Sequence, residues 1–157
     1  MPEWLASRFS ILGLVVVVIQ QIPGIVWALH PPKDDPFAGN SGRPLVEVLE
    51  KGFGVASLLM VIVVPVAVAI LQGLGQALAF AAFGVLAAYY VLYVAYYRGV
   101  TSWPVLLGMA VFPPMAFVLV AVQQGNLAAV VSTVIFGVVH VGLTYSNLGR
   151  GRVRSTR

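Results

Sequence analysis

"GFGVASLLMVIVVPVAVAILQGLGQALAFAAFGVLAAYYVLYVAYYR", residues 52–98, runs from Gly52 to Tyr97 without one Lys, Arg, Asp or Glu. A helix crossing the hydrocarbon core of a bilayer needs about 20 mostly apolar residues. This stretch is long enough for two crossings, separated by the glycine-bearing turn "QGLGQ". A second charge-free stretch runs from Gly99 to Gly149. Of the 157 residues, 60% are hydrophobic and 9% charged, whereas soluble domains carry about 25% charged residues. So few charges cannot cover the apolar surface of a water-soluble fold of this length. The fold class is an all-α integral membrane protein, a single membrane domain built as a compact bundle of five transmembrane helices.

The expected spans are 9–29, 52–71, 75–97, 103–122 and 127–145. The first ends at "HPPKDDP", where the prolines stop a helix. It is read as a span because its apolar run exceeds the about 7–15 residues of a secretory core, and "WALHPP" makes a poor cleavage site. The fourth begins at Trp103-Pro104, with proline suited to a first helical turn. The second helix is expected to begin before the membrane, with Pro44 early and Glu47 four residues ahead of Lys51, a favourable pair on one helix face.

Orientation follows from the basic residues. Five spans place Lys33, Arg43, Lys51, Arg98, Arg150, Arg152, Arg154 and Arg157 on one side and Arg8 alone on the other. Basic residues mark the cytoplasmic side. The N-terminus is therefore expected outside and the C-terminus inside. The 30–51 loop and the basic tail 147–157 then lie in the cytoplasm, in a plasma membrane of the prokaryotic, inner-membrane type.

Five of the six tyrosines, Tyr89, Tyr90, Tyr93, Tyr96 and Tyr97, crowd the end of the third span. At 100° per residue, Tyr89, Tyr93 and Tyr96 fall within about 60° of one another. Tyr96 and Tyr97, beside Arg98, are expected to anchor the helix at the membrane interface, as are Trp27 and Trp103. Tyr89 and Tyr90 lie deeper, where a hydroxyl needs a partner because an unsatisfied polar group in hydrocarbon costs several kcal/mol.

Candidate partners come from three other spans. In the fifth, Asn126, Thr133, Gly137, His140, Thr144 and Asn147 share one face, opposite Val131, Ile135, Val138 and Val139. A polar and small stripe on a membrane helix is expected to face protein or a water-filled cavity. In the first, Gln20 and Gln21 precede Pro23 and Gly24. In the second, Glu50, Gly54 and Ser57 share a face. In the fourth, Pro113-Pro114 interrupts the backbone ladder at mid-membrane. The expected ligand-binding set is Gln20, Gln21, Ser57, Tyr89, Tyr90, Tyr93, Thr133 and His140, around a pocket that opens to the cytoplasm under the 30–51 loop.

His140 is the one ionisable residue other than tyrosine deep inside a span, and such a residue marks a functional site by default. The structural reading is an imidazole bonded to Tyr89, Tyr90 or a glutamine, tying helices together. The functional reading is a ligand contact. No cofactor is expected. His30 and His140 differ in depth by about 7–8 Å of helical rise, which does not suit a shared haem. The absence of cysteine removes thiolate ligands and thiol nucleophiles. Asp34 and Asp35 read as turn residues of a solvated loop rather than a metal site.

No phosphate-binding loop, zinc-protease or serine-hydrolase motif is present. The leading function is binding or transport of a small or lipid-like ligand. An alternative is an accessory, assembly or immunity subunit packing through small residues such as Ala81, Gly84, Ala88 and Gly137. A third is an intramembrane enzyme pairing His140 with Glu47 or Glu50. Membrane lipids are expected partners, with anionic lipid at Arg150, Arg152, Arg154 and Arg157. A homo-oligomer or a membrane-protein partner is compatible, and nucleic acid is not expected.

Overall fold

The computed structural model describes residues 9–32, 44–63 and 75–155, with 149–155 as backbone alone. Five helices appear among these residues: α1 (Ile11–Leu29), α2 (Pro44–Ile62), α3 (Gly75–Tyr97), α4 (Trp103–Gln123) and α5 (Leu127–Ser155). The helices α1, α3, α4 and the Leu127–Leu148 part of α5 are long and apolar enough to cross a membrane. The second helix starts at Pro44, ahead of its span as the sequence led one to expect, carries Glu47, Glu50 and Lys51 in its first two turns, and ends at Ile62. The remainder of that span, 64–71, lies outside the described residues, as does 33–43 of the long loop. The helix of α5 continues past Tyr145 as far as Ser155. The arginines at 150, 152 and 154 therefore lie on helical backbone, while Arg157 is outside the described residues.

The helix ends follow from local chemistry. Ser10 caps α1, its hydroxyl accepting from the Gly13 N–H at 2.8 Å. Pro104 sits in the first turn of α4. The helices α3 and α4 end alike. Gly99 (φ 87°) and Gly125 (φ 64°) adopt the left-handed conformation. Around them Val100 N–H donates to Ala95 and Gly99 N–H to Tyr96, and Asn126 N–H donates to Ala121 and Gly125 N–H to Val122. These are two Schellman closures, each with glycine at the left-handed position. They reverse the chain tightly, so α4 runs antiparallel to both α3 and α5.

The bundle is organised around α4. Half of its most apolar window is buried, against 17–28% for the other three apolar helices. Ala116, Phe117, Val120 and Ala121 of α4 form the core with Val16, Val17, Val61, Ala82, Leu86 and Ala129. The outward faces of α1, α3 and α5 stay apolar and exposed, as at Val18, Phe80, Val91, Val131 and Val138. That is a surface suited to lipid. The stripe on α5 behaves as expected, with Asn126, Thr133 and Thr144 buried and Val131, Ile135 and Val138 exposed.

One end of the bundle is closed by side-chain amides. The last carbonyls of a helix have no intrahelical donor, and here they belong to α2. The Asn126 Nδ2 donates to the carbonyls of Met60 (2.7 Å) and Val63 (2.9 Å). The Gln124 Nε2 donates to Val61 (3.0 Å) and to the Ser10 hydroxyl (2.7 Å). The Ser10 N–H donates to Ile62 at 2.8 Å. The Asn126 Oδ1 also accepts the Ala129 N–H at 3.0 Å, capping α5. Gly13 is required at this crossing, because a Cβ there would stand 2.1 Å from the Val61 carbonyl oxygen.

Asn126→Asp keeps the oxygen that caps α5 but loses the two donations to α2, whereas Asn126→Ala loses all three. Thermal unfolding in detergent is expected to rank wild type above Asp and Asp above Ala. The full loss should be about 1–3 kcal/mol, the cost of leaving buried polar groups unpaired. Equal stability of the three proteins would contradict this arrangement.

Candidate functional site

The tyrosine cluster resolves into two sets. Tyr90, Tyr93 and Tyr97 occupy one line on α3, and each donates its hydroxyl to a backbone carbonyl of α1 or of the residue that caps its end. Tyr90 donates to Ile19 at 2.6 Å, Tyr93 to Pro23, and Tyr97 to His30 at 3.0 Å. The first of these has a direct cause. Proline at 23 has no N–H, so the Ile19 carbonyl four residues earlier loses its helical donor. The Tyr90 hydroxyl supplies the missing hydrogen. The sequence therefore contains both halves of one interaction, a proline on α1 and a tyrosine on α3.

Tyr89 and Tyr96 lie about 100° round α3 from Tyr90 and Tyr97, with Tyr93 between the two sets. Tyr96 is 2% exposed and packs with Leu106 and Leu148. It is not the lipid-facing anchor expected from its place beside Arg98, because α4 and α5 cover it. Trp103, also expected at the interface, meets Tyr145 edge-on with ring centroids 5.1 Å apart.

Beside this second set lies a cavity of about 640 Å³ at the Glu50 end of the bundle, with every helix contributing to its wall. The end of α1 gives Gly24 and Trp27, and the start of α2 gives Glu47, Glu50 and Lys51. The α3 wall is aromatic: Tyr89, Tyr93 and Tyr96. The α4 wall is Met109 and Ala110, the two residues whose carbonyls lose their helical donors to Pro113 and Pro114. From α5 come His140, Leu143, Thr144 and Asn147.

The central polar contact is between α2 and α5. Nδ1 of His140 lies 2.5 Å from Oε1 of Glu50. An ionised carboxylate only accepts, so in that form Nδ1 carries the proton and Nε2 remains available on the imidazole. The ring stacks on Phe136, with centroids 5.2 Å apart and planes at 25°. Phe136 in turn lies against Gly54, where a Cβ would stand 3.2 Å from its ring edge. The small residue on α2 thus lets α5 approach closely enough for the pair to form. Gly137 does the same on the other side, against Pro114.

Of the expected set, the cavity brings together Tyr89, Tyr93 and His140. The others lie elsewhere. Gln20 and Gln21 bond each other, Gln21 Nε2 donating to Gln20 Oε1 at 2.9 Å. Ser57 is buried and donates to the Phe53 carbonyl of its own helix at 2.7 Å. Tyr90 serves α1. Thr133 is fully buried, its hydroxyl without a partner among the described residues. Glu50, Lys51, Met109 and Ala110 complete the wall instead. A sequence signal for the last two exists, since a proline identifies the residue four positions earlier as holding a freed carbonyl.

Compared with known protein families, curated proteins and solved structures, the chain matches none.

The proline–tyrosine pairing is testable by a double-mutant cycle. Tyr90→Phe is expected to destabilise the wild type by about 1 kcal/mol, within the range for membrane-protein hydrogen bonds. Pro23→Ala restores an N–H at position 23, so in that background Tyr90→Phe should cost much less. Equal costs in both backgrounds would show that Tyr90 does not serve the proline-freed carbonyl.

Proposed function

We propose that this chain is a small polytopic membrane protein that binds or transports a small or lipid-like ligand in an intramembrane pocket at its Glu50 end. The observation carrying this reading is the cavity, where the Glu50–His140 pair and Tyr89 converge from three helices. Ligand sites combine an apolar wall with a few converging polar groups in clefts of about 300–1,000 Å³. An ionisable pair inside a membrane bundle carries a cost that function commonly accounts for. The bias of Lys and Arg supports an orientation in which this pocket faces the cytoplasm of a prokaryotic-type cell, with the N-terminus outside.

A second reading, an accessory subunit that packs on another membrane protein, is favoured by one observation. Ala81 and Gly84 of α3 are exposed, and a Cβ at Gly84 would meet nothing within 4 Å. Small exposed residues permit close helix contact.

Native mass spectrometry of the protein released from mild detergent separates the two, with wild type run beside His140→Ala. The pocket reading expects a discrete added mass on the wild type that the variant loses. Bare protein in both samples, or ordinary phospholipid on both alike, would count against the pocket and favour the subunit reading.

A further inference from the structure

We propose that a groove on the outer face of α3 binds one anionic phospholipid, its phosphate held by Arg98 and an acyl chain lying along Val94 and Val91. This goes beyond the pocket reading and does not depend on it. The groove has a volume of about 510 Å³ and is lined by Tyr90, Val91, Val94, Ala95, Arg98 and Val100. It shares no lining residue with the Glu50 cavity.

The sequence builds the groove from one helix face and one turn. Positions 91, 94, 95 and 98 recur at spacings of three and four, so they stand over one another on α3. Val91, Val94 and Arg98 are exposed, and the small Ala95 between them is half-buried. Beyond the helix the left-handed Gly99 turns the chain back, and the Val100 N–H donates to the Ala95 carbonyl. Such a closure brings the residue after the glycine against the helix it has just left, so Val100 joins the wall beside Ala95. Tyr90 is held at the deeper end by its bond to the Ile19 carbonyl at 2.6 Å.

Length and charge together select a lipid. From Tyr90 to Arg98 the helix rises about 12 Å, which fits within the about 15 Å of hydrocarbon in one leaflet. A lipid occupies one leaflet, whereas a membrane helix packed on this face would cross both. The Arg98 guanidinium is permanently charged and presents a fork of donors that matches a phosphate. It stands one residue past the last residue of α3, is exposed, and has no ion pair among the described residues. The aliphatic stem of an arginine can follow an apolar wall while its head reaches the headgroups. No acidic side chain lines the groove to compete with a phosphate. A second copy fits poorly. A two-fold axis along the membrane normal sets equivalent residues at one depth, so a groove meeting itself would bring two Arg98 side chains together.

The test titrates the full chain in mild detergent with dioleoylphosphatidylglycerol or dioleoylphosphatidylcholine, which differ in headgroup alone, and counts bound lipid by native mass spectrometry. The first phosphatidylglycerol should bind about fivefold more tightly than the first phosphatidylcholine, the factor that one basic residue near a membrane surface supplies. Arg98→Gln should remove this preference and Arg98→Lys should keep most of it. Joint replacement of Arg150, Arg152 and Arg154 by glutamine should leave it in place. Ala95→Phe, which fills the groove, should weaken the phosphatidylglycerol by a similar factor, and millimolar glycerol 3-phosphate should not displace it. Equal binding of the two lipids by wild type would overturn the proposal, and that comparison stands even where a variant fails to fold. So would a preference that survives Arg98→Gln, or a phosphatidylglycerol affinity that Ala95→Phe leaves unchanged. Displacement by glycerol 3-phosphate would overturn it in favour of a phosphate site without a chain. A lipid-free dimer that Ala95→Phe disperses would overturn it in favour of a second copy.

Discussion

A backbone carbonyl inside a membrane has no water to bond, so each one released from its helix needs a donor from the protein or a polar cavity. Among the described residues, prolines inside helices release three such carbonyls: Ile19 by Pro23, and Met109 and Ala110 by Pro113 and Pro114. The first is met by the Tyr90 hydroxyl. The other two belong to residues that line a cavity reached by all five helices. The same constraint acts at the opposite end, where the last carbonyls of α2 take their hydrogens from Gln124, Asn126 and the Ser10 N–H. Tight packing between helices follows from these fixed points. Gly13 yields to the Val61 carbonyl, Gly54 to Phe136 and Gly137 to Pro114.

The polar contacts divide the bundle into a closed end and an open end. At the closed end short side chains bond directly to backbone, and the α1–α2 crossing is tight. At the open end the side chains are larger, Trp27, Tyr89, Tyr93 and Tyr96, and they stand around space. The Glu50–His140 pair stands in the wall of the open end. Its members come from helices held together by Gly54 and Phe136, so the pair is positioned by packing and does not itself have to hold the bundle. His140 and Glu50 keep 31% and 21% of their side-chain surface exposed, and a contact so placed is a weak source of stability.

Much of this was legible in the sequence, and the boundary is physical. Periodicity of apolar residues and the absence of charge gave the helices α1, α3, α4 and α5, because those signals are local. The buried stripe of α5 was legible for the same reason, and so was the inward face of Glu50, Gly54 and Ser57 on α2. What periodicity cannot give is which helix a face meets. Tyr90 and Tyr93 lie three residues apart on one line of α3 and both hydroxyls bond α1, yet Tyr93 alone of the two lines the cavity. Gln20 and Gln21 read as ligand contacts by depth alone, but they bond each other. Tyr96 read as an interfacial anchor by its neighbour Arg98, and only the packing of α4 shows it covered. Glu50 was expected near His140 as one of two candidates, and the choice between Glu47 and Glu50 needed the crossing of α2 with α5.

The central claim is that water reaches the inside of the bundle at the Glu50 end and is excluded farther along α5. The chain has no cysteine, so single cysteines report without background. Thr144→Cys, Asn147→Cys and Thr133→Cys would be placed one at a time in proteoliposomes and treated with a water-soluble, membrane-impermeant thiol reagent from both faces. An open cavity predicts reaction at 144 and 147, from one face, and none at 133. Reaction at 144 as slow as at 133 would contradict it, showing that the helices close on one another and that no pocket exists to bind a ligand.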